Sequence, residues 1–318
     1  MTKRKDIEVV EVGLRDGLQN VAVAMSTDAK KDWLSGAAAV GIMEVEACSF
    51  VPVRLFPQFA DNEAVVAHAL SLTPMTVSAL TPNARGAADA LAAGVQKLSF
   101  TLSASRGHSL ANVRKTPEEQ LGEFRRLIAV RDADGRGITV TGGLSTAFGC
   151  TLEGAVAESD VCRLAEELVG AGADDISLAD TVGYASPADI RRLVKAVRRE
   201  IGGRLTTLHL HDTRGLGLAN VLAGIECGIT VFDASLGGLG GCPYAPGASG
   251  NICTEDLVFM LESMGLSTGI DLEALLELRA MVERELPGAE FHGALARARL
   301  PKNWIQPRPQ MTNPRESQ

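Results

Sequence analysis

A glycine joint recurs four times along this chain and constrains its fold more than any other feature. Val40-Gly41-Ile42, Ala93-Gly94-Val95, Ala171-Gly172-Ala173 and Cys227-Gly228-Ile229 each set a glycine between a helical pattern and a short apolar run. Glycine at that place ends a helix in the left-handed conformation and releases the chain into a strand. Repeated use of one joint marks a repeated βα unit. Strand-like runs fall at 7–14, 42–48, 75–80, 97–102, 138–144, 175–178, 206–211 and 230–235, and helical periodicity fills 28–39, 83–92, 117–133, 155–171, 187–200 and 216–227. Eight apolar strands, each read as buried on both faces, predict an α/β protein built as a single (β/α)8 TIM barrel. An open doubly wound sheet is the alternative, and the lack of GxGxxG after the first strand counts against a dinucleotide-binding version of it. No Pro/Ser-rich linker divides the chain. The expected division is a catalytic barrel over 1–270, then a C-terminal helix near 272–285 and a Pro-rich flexible tail, together 271–318, packed on the barrel.

Composition removes several classes of function. A net charge of −8 over 318 residues argues against nucleic acid or an anionic membrane as partner, and a polyanionic small ligand would need a local basic patch. No apolar stretch approaches the roughly 18 residues that span a bilayer, and the first ten residues hold no long apolar segment of a signal peptide. The six cysteines show no CxxC pairing, which predicts reduced thiols and a cytoplasmic protein.

The chemistry gathers at the expected C-terminal ends of the strands, where barrel enzymes carry their active sites. In Leu208-His209-Leu210-His211-Asp212 the two histidines are spaced i, i+2, so on a strand both project to one face and can grip one metal ion. The plainer reading is a pair of lumen histidines bonded to neighbours. Arg15 and Asp16 follow the first strand, Glu46 and Ser49 end the second, Asp180 follows the sixth, and Asn251 is expected at the start of the helix after a glycine-rich loop, 237–250. Asp16, His209, His211 and Asn251 form a nitrogen and oxygen set without thiolate, which suits Mg²⁺ or Mn²⁺ more than structural zinc. Arg15 reads as a fixed cation near a substrate carbonyl, or as an ion pair with Glu44 or Glu46. Cys242, inside the glycine loop, reads as chemically active; Cys48, Cys162 and Cys227 read as packing, and Cys253, placed one turn into the last barrel helix, is left open. Asp180 lies too far from the helix after Pro187 to cap it, which points it toward the site.

These residues carry a resemblance. The run from Val10 to Asn20 (VEVGLRDGLQN), the HLHDT run from His209, and the segment GGLGGCPYAPGASGN ending at Asn251 with TEDLVFML after it resemble the 3-hydroxy-3-methylglutaryl-CoA lyase family of DRE-TIM metallolyases, over about Glu8 to Leu276. The resemblance implies a divalent cation on Asp16, His209, His211 and Asn251, Arg15 at a thioester oxygen, and a mobile-loop Cys242. It also sets Glu46, Asp180 and Glu255 at positions used around the site. Gln19, Ser49, Arg106, Asn112 and Glu255 are expected to contact the substrate. Two segments depart from the family pattern. Where the family has Ala-Ser-Glu followed by an aromatic and a Lys-Lys-Asn run, this chain has Ala104-Ser105-Arg106-Gly107-His108-Ser109-Leu110-Ala111-Asn112, and the family's Arg-Gly-Tyr is Thr141-Gly142-Gly143.

The activity implied is metal-dependent retro-aldol cleavage of a 3-hydroxyacyl-CoA thioester, first of all 3-hydroxy-3-methylglutaryl-CoA to acetyl-CoA and acetoacetate, with His209 or Asp180 as base and Cys242 as proton donor. Citramalyl-CoA cleavage to acetyl-CoA and pyruvate is the alternative substrate reading, and a condensing synthase is a more distant one. A catalytically silent metal-binding scaffold is the reading from another class, and the intact set of Arg15, Asp16, His209, His211, Cys242 and Asn251 argues against it. Assembly as a homo-oligomer such as a dimer is compatible with all of these.

Overall fold

In the computed structural model, which describes residues 5–241 and 250–306, eight parallel strands close into a barrel in sequence order, with β8 pairing back onto β1. The strands are β1 Glu8–Glu11, β2 Glu44–Ser49, β3 Thr76–Leu80, β4 Lys97–Ser103, β5 Thr139–Ser145, β6 Asp175–Asp180, β7 Leu205–Leu210 and β8 Val231–Ala234. The helices are α1 Thr27–Val40, α2 Asn62–Ser71, α3 Ala84–Ala92, α4 Arg106–Val113, α5 Pro117–Asp134, α6 Glu158–Gly170, α7 Pro187–Ile201, α8 Gly217–Glu226, α9 Thr254–Ser263, α10 Leu272–Glu285 and α11 Leu295–Ala298. Gly41, Gly94, Gly172 and Gly228 all have positive φ, between 83 and 110°, so the repeated joint works as the sequence suggests.

Three expectations change. The first strand stops at Glu11, because Gly13–Gly17 wraps into a helical turn whose Asp16 N–H reaches back to the Val12 carbonyl at 2.7 Å. Helices α2 and α4, which the sequence reading passed over, are held from outside their own periodicity: Asn62 donates to the Ser49 carbonyl, and Ser105 caps α4 through the His108 N–H. The strands are also not apolar on both faces. Val45, Leu98, Phe100, Val140, Ile176 and Leu208 are sealed against the helices, whereas Glu44, Glu46, Ser99, Thr141, Ser177 and His209, on the alternate face, line the lumen.

At the C-terminal end, α10 packs beside α1 and α9. Its buried Arg279 forms an ion pair with Glu255 of α9. Helix α9 begins at Thr254, three residues beyond Asn251; Asn251 itself makes an antiparallel bridge with His211, and Cys253 is the residue that precedes the helix.

Candidate metal centre

The site is assembled at the mouth of the barrel by β1, β7, β8 and the segment that returns before α9. His209 stands on the lumen face of β7 and His211 just past its end, with their Nε2 atoms 3.2 Å apart. Asp16 arrives from the helical turn after β1. One ligand atom from each of Asp16, His209 and His211 lies within 4.8 Å of the others. The Asp212 N–H bonds the Gly250 carbonyl and the Ile252 N–H bonds the Leu210 carbonyl, so residues 250–252 extend β7 and bring Asn251 alongside.

Protonation in this group suits a hard divalent cation. Burial opposes the charge on Asp16, yet Arg15, His209 and His211 hold its carboxyl down at about 2. Burial beside His209 lowers His211 to about 4, which leaves it neutral with a lone pair to give. The His209 Nδ1 faces Asp233 at 3.1 Å, and although burial pulls the other way, Asp233 and Asp16 raise its pKa. A carboxylate on the far nitrogen fixes the tautomer that leaves Nε2 free for a metal. Asn251 is 2% exposed and donates from Nδ2 to Asp16 and to the Leu239 carbonyl, while its Oδ1 is buried without a partner. A buried carbonyl oxygen left unmatched beside a carboxylate and two imidazoles is what an oxygen-preferring cation would satisfy, so the residues fit Mg²⁺ or Mn²⁺.

Arg15 borders this group. Its Nη1 donates to Asp16 at 2.6 Å and its Nε to Glu46, and both carboxylates keep the guanidinium charged against the burial that opposes it. Glu44, the other partner considered, pairs with Lys97 instead at 3.1 Å. Glu46 also accepts from Ser99. These two acceptors leave Arg15 Nη2 without a hydrogen bond among the described residues, 12% of the side chain being exposed.

The remaining expected residues divide. Ser49 ends β2 fully buried, its Oγ unpartnered. Gln19 follows the helical turn of β1 and offers its carbonyl to Gln58, while the neighbouring Asn20 donates to the Gly241 carbonyl at 2.7 Å. Asp180 is the last residue of β6, and its carboxylate accepts from the backbone N–H of Tyr184 and Ala185, with Ser186 serving as the cap of α7. Burial lifts the Asp180 carboxyl to about 6. Arg106 and Asn112 sit exposed on α4, Arg106 in an ion pair with Glu118, and the structure does not bring them to the cluster. Glu255 is sealed inside, where it accepts from the Gly237 N–H and from Arg279 and faces no open space. Cys242 lies outside the described residues; Cys48 is buried and its thiol pushed up above the usual range, and Cys253 is likewise buried and raised well above it.

Two further carboxylates near the site are not among the residues singled out for chemistry in the sequence. Asp233 orients His209, and Glu11, fully buried, accepts from Gly13 N–H, Leu236 N–H and Thr254 Oγ1. In each case the signal was an acid inside an apolar strand, VFDA and EVVE, which has no reason to be buried unless other groups satisfy it.

Known proteins are similar to this chain over most of its length. Residues 6–282 match the model of the HMGL-like family. The cytoplasmic 3-hydroxy-3-methylglutaryl-CoA lyase of Mus musculus is 40% identical over 272 residues, covering 85% of this chain and 78% of its own. The hydroxymethylglutaryl-CoA lyase of Bacillus subtilis (strain 168) is 39% identical over 282 residues, covering 89% and 94%. An HMG-CoA lyase structure from Acenitobacter baumannii, in complex with coenzyme A and 3-methylmalate, superposes with a TM-score of 0.88 at 41% identity over 96% of this chain and 99% of that one. With the family model spanning the barrel, this chain belongs to the HMGL-like family.

Proposed function

We propose that this protein is a divalent-cation-dependent carbon–carbon lyase that cleaves 3-hydroxy-3-methylglutaryl-CoA to acetyl-CoA and acetoacetate. The observation that carries the reading is the convergence of Asp16, His209, His211 and the unmatched Asn251 Oδ1 beside a cationic Arg15 at the strand ends. Asp16, His209, His211 and Asn251 would hold Mg²⁺ or Mn²⁺, which when bound supplies Lewis acidity toward the substrate's C3 hydroxyl. Arg15 directs its remaining Nη2 donor at the thioester oxygen, where charge grows as the C2–C3 bond breaks.

Asp180 accepts the hydroxyl proton. With His209 and His211 committed nitrogen to nitrogen at one point, Asp180 offers a carboxylate whose proton affinity is matched to neutral pH, and each of its oxygens keeps a lone pair after bonding Tyr184 and Ala185. Loss of that proton turns the C3 oxygen into the ketone of acetoacetate, and the bonding pair of C2–C3 moves onto the thioester as an enolate. A proton from Cys242 to C2 then completes acetyl-CoA. Gly240 and Gly241 lead directly to Cys242 and touch the site, a Cβ on Gly240 falling 3.2 Å from Asp16 Oδ2. The described cysteines beside the barrel, Cys48 and Cys253, are too buried to serve.

The phosphates of the CoA moiety need positive charge in a chain of net −8. A cavity of about 500 Å³ between the segment after β2 and the start of α3 is lined by Arg54 and by Arg85, the latter paired with Asp89 at 3.9 Å, and this positive charge supports docking there. No described helix is long and apolar enough to cross a membrane, and the described cysteines are all free thiols, which supports a reducing cytoplasm as the working compartment. Incubating purified protein with the thioester and Mg²⁺ or Mn²⁺ should yield acetyl-CoA and acetoacetate, and a chelator should abolish both; full-rate cleavage after chelation would remove the metal from the proposal.

A further inference from the structure

Gly143 has no reason of fold to be a glycine. It lies inside β5, hydrogen-bonded to β4 on one side and β6 on the other, and its φ is not in the left-handed region. A Cβ built on it would meet only the Phe100 carbonyl oxygen at 3.4 Å, Thr101 Oγ1 at 3.5 Å and Thr101 Cα at 3.9 Å, all ordinary contacts. Its neighbour Gly142 differs, because a Cβ there would press on Ile176 at 3.1 Å and Leu168 at 3.3 Å, on the helix side. A strand glycine that neither backbone nor packing demands marks a place where another molecule approaches.

The space in front of Gly143 opens on the site. Thr101, its register partner on β4, is exposed although Phe100 and Leu102 on either side are 2% and 0% exposed, so Thr101 faces an open lumen. Ser99, two residues earlier on the same face, bonds the Glu46 that holds Arg15. On the other side Gly143 is in register with Ser177, and Ala179, two residues on, with His209. One step below Gly143 on the same face, Thr141 holds its Oγ1 buried and unpartnered. The wall at Thr101, Gly143 and Ser177 therefore offers hydroxyls and bare backbone, and the charges at its foot are Asp175, in register with Thr141, and the paired Lys97 and Glu44.

Resting on the lyase reading above, we propose that Thr101, Thr141 and Gly143 form a side pocket for the neutral substituent on C3 of the acyl chain. The enzyme accordingly accepts 3-hydroxyacyl-CoA thioesters whose C3 branch is an alkyl chain longer than methyl. The C3 hydroxyl goes to the Asp16/His209/His211 group and the thioester oxygen to Arg15. Of the two remaining C3 substituents the carboxymethyl is anionic and is not matched by a wall of hydroxyls beside the Asp175 carboxylate, where Lys97 is already paired with Glu44, which leaves the neutral branch to fill it.

The test compares kcat/KM for 3-hydroxy-3-methylglutaryl-CoA and its 3-propyl homologue, with Mg²⁺, in the wild type, Gly143→Ala and Gly143→Leu. The wild type should cleave the propyl thioester within tenfold of the methyl one. The propyl/methyl ratio should fall about tenfold in Gly143→Ala and a hundredfold or more in Gly143→Leu, since a methylene misfit is worth about 10–200-fold in such a pocket. Gly143→Ala decides the matter should the leucine variant not fold. A wild-type preference for methyl of a hundredfold or more, or variants that slow both thioesters equally, would overturn the pocket while leaving the lyase reading intact. Cleavage of neither thioester by the wild type would overturn both.

Discussion

Asp233 shows what one residue contributes beyond the ligands themselves. By bonding Nδ1 of His209 at 3.1 Å, it determines which imidazole nitrogen is free. Asp233→Asn should therefore lower Mg²⁺ or Mn²⁺ affinity about 10–100-fold with the fold unchanged, as read by metal titration calorimetry and circular dichroism. An affinity equal to wild type would make Asp233 a bystander. Asp180, with its carboxyl lifted to about 6, must be ionised to accept a proton. The kcat/KM profile should decline as pH falls through about 6, and Asp180→Asn should remove most of kcat together with that acidic limb. An acidic limb that persists in the variant would assign the titration elsewhere. Cys242→Ser should keep metal and substrate binding but lose most of kcat, because a hydroxyl is a far weaker acid than a thiol; unchanged product formation would take Cys242 out of the proton transfer. The grouping of Asp16, His209 and His211 was legible in the sequence because each sits in a short contiguous motif at a strand end, while Cys242 lies outside the described residues. Asp233 was not legible, because its meaning depends on its neighbour across the β7–β8 ladder.

Among the elements, Glu11 ties three together. Its carboxylate joins the end of β1 to the turn after β8 through Leu236 and to the start of α9 through Thr254. Burial raises it to about 7 from an ordinary 4.5. The folded state thus holds a proton that the unfolded chain has released, so the stability Glu11 contributes is full below about pH 4.5 and lost as pH rises to about 7. The decline amounts to about 3 kcal/mol. Glu11→Gln keeps the shape and mimics the protonated form. Its unfolding free energy should fall less than that of the wild type between pH 5 and 7.5, by roughly one proton's slope in denaturant titrations at each pH. Parallel curves would show that Glu11 does not titrate in this window. Helix α10 acts at the same level, its Arg279 completing the Glu255 that holds Gly237. Periodicity shows α10 in the sequence, but nothing local shows which buried acid it meets.

For the whole molecule, the proposed cation would be a ligand of the folded state alone, because Asp16, His209 and His211, with Asn251 beside them, are gathered only by the closed barrel. Mg²⁺ or Mn²⁺ at about a hundred times Kd should stabilise the protein by about 2.7 kcal/mol. Differential scanning calorimetry should show Tm rising with metal and returning with chelator. Asp16→Ala, with a ligand removed, should show no such shift, and an equal shift in that variant would place the metal elsewhere. The sequence by itself determined the (β/α)8 fold, through the glycine joints and the strand–helix alternation, and it determined the main chemistry, since barrel strands put their functional residues where each strand ends. Both are local patterns that survive in one dimension. Tertiary structure alone decided that the lumen is polar, that Arg106 and Asn112 stand outside on α4 while Glu255 is spent on Arg279, and that Gly143 lies beside Thr101 on the lumen side of β5. Each depends on which strand or helix lies alongside, and that is settled only when β8 closes on β1 and residues more than two hundred positions apart, such as Glu11 and Thr254, come into contact.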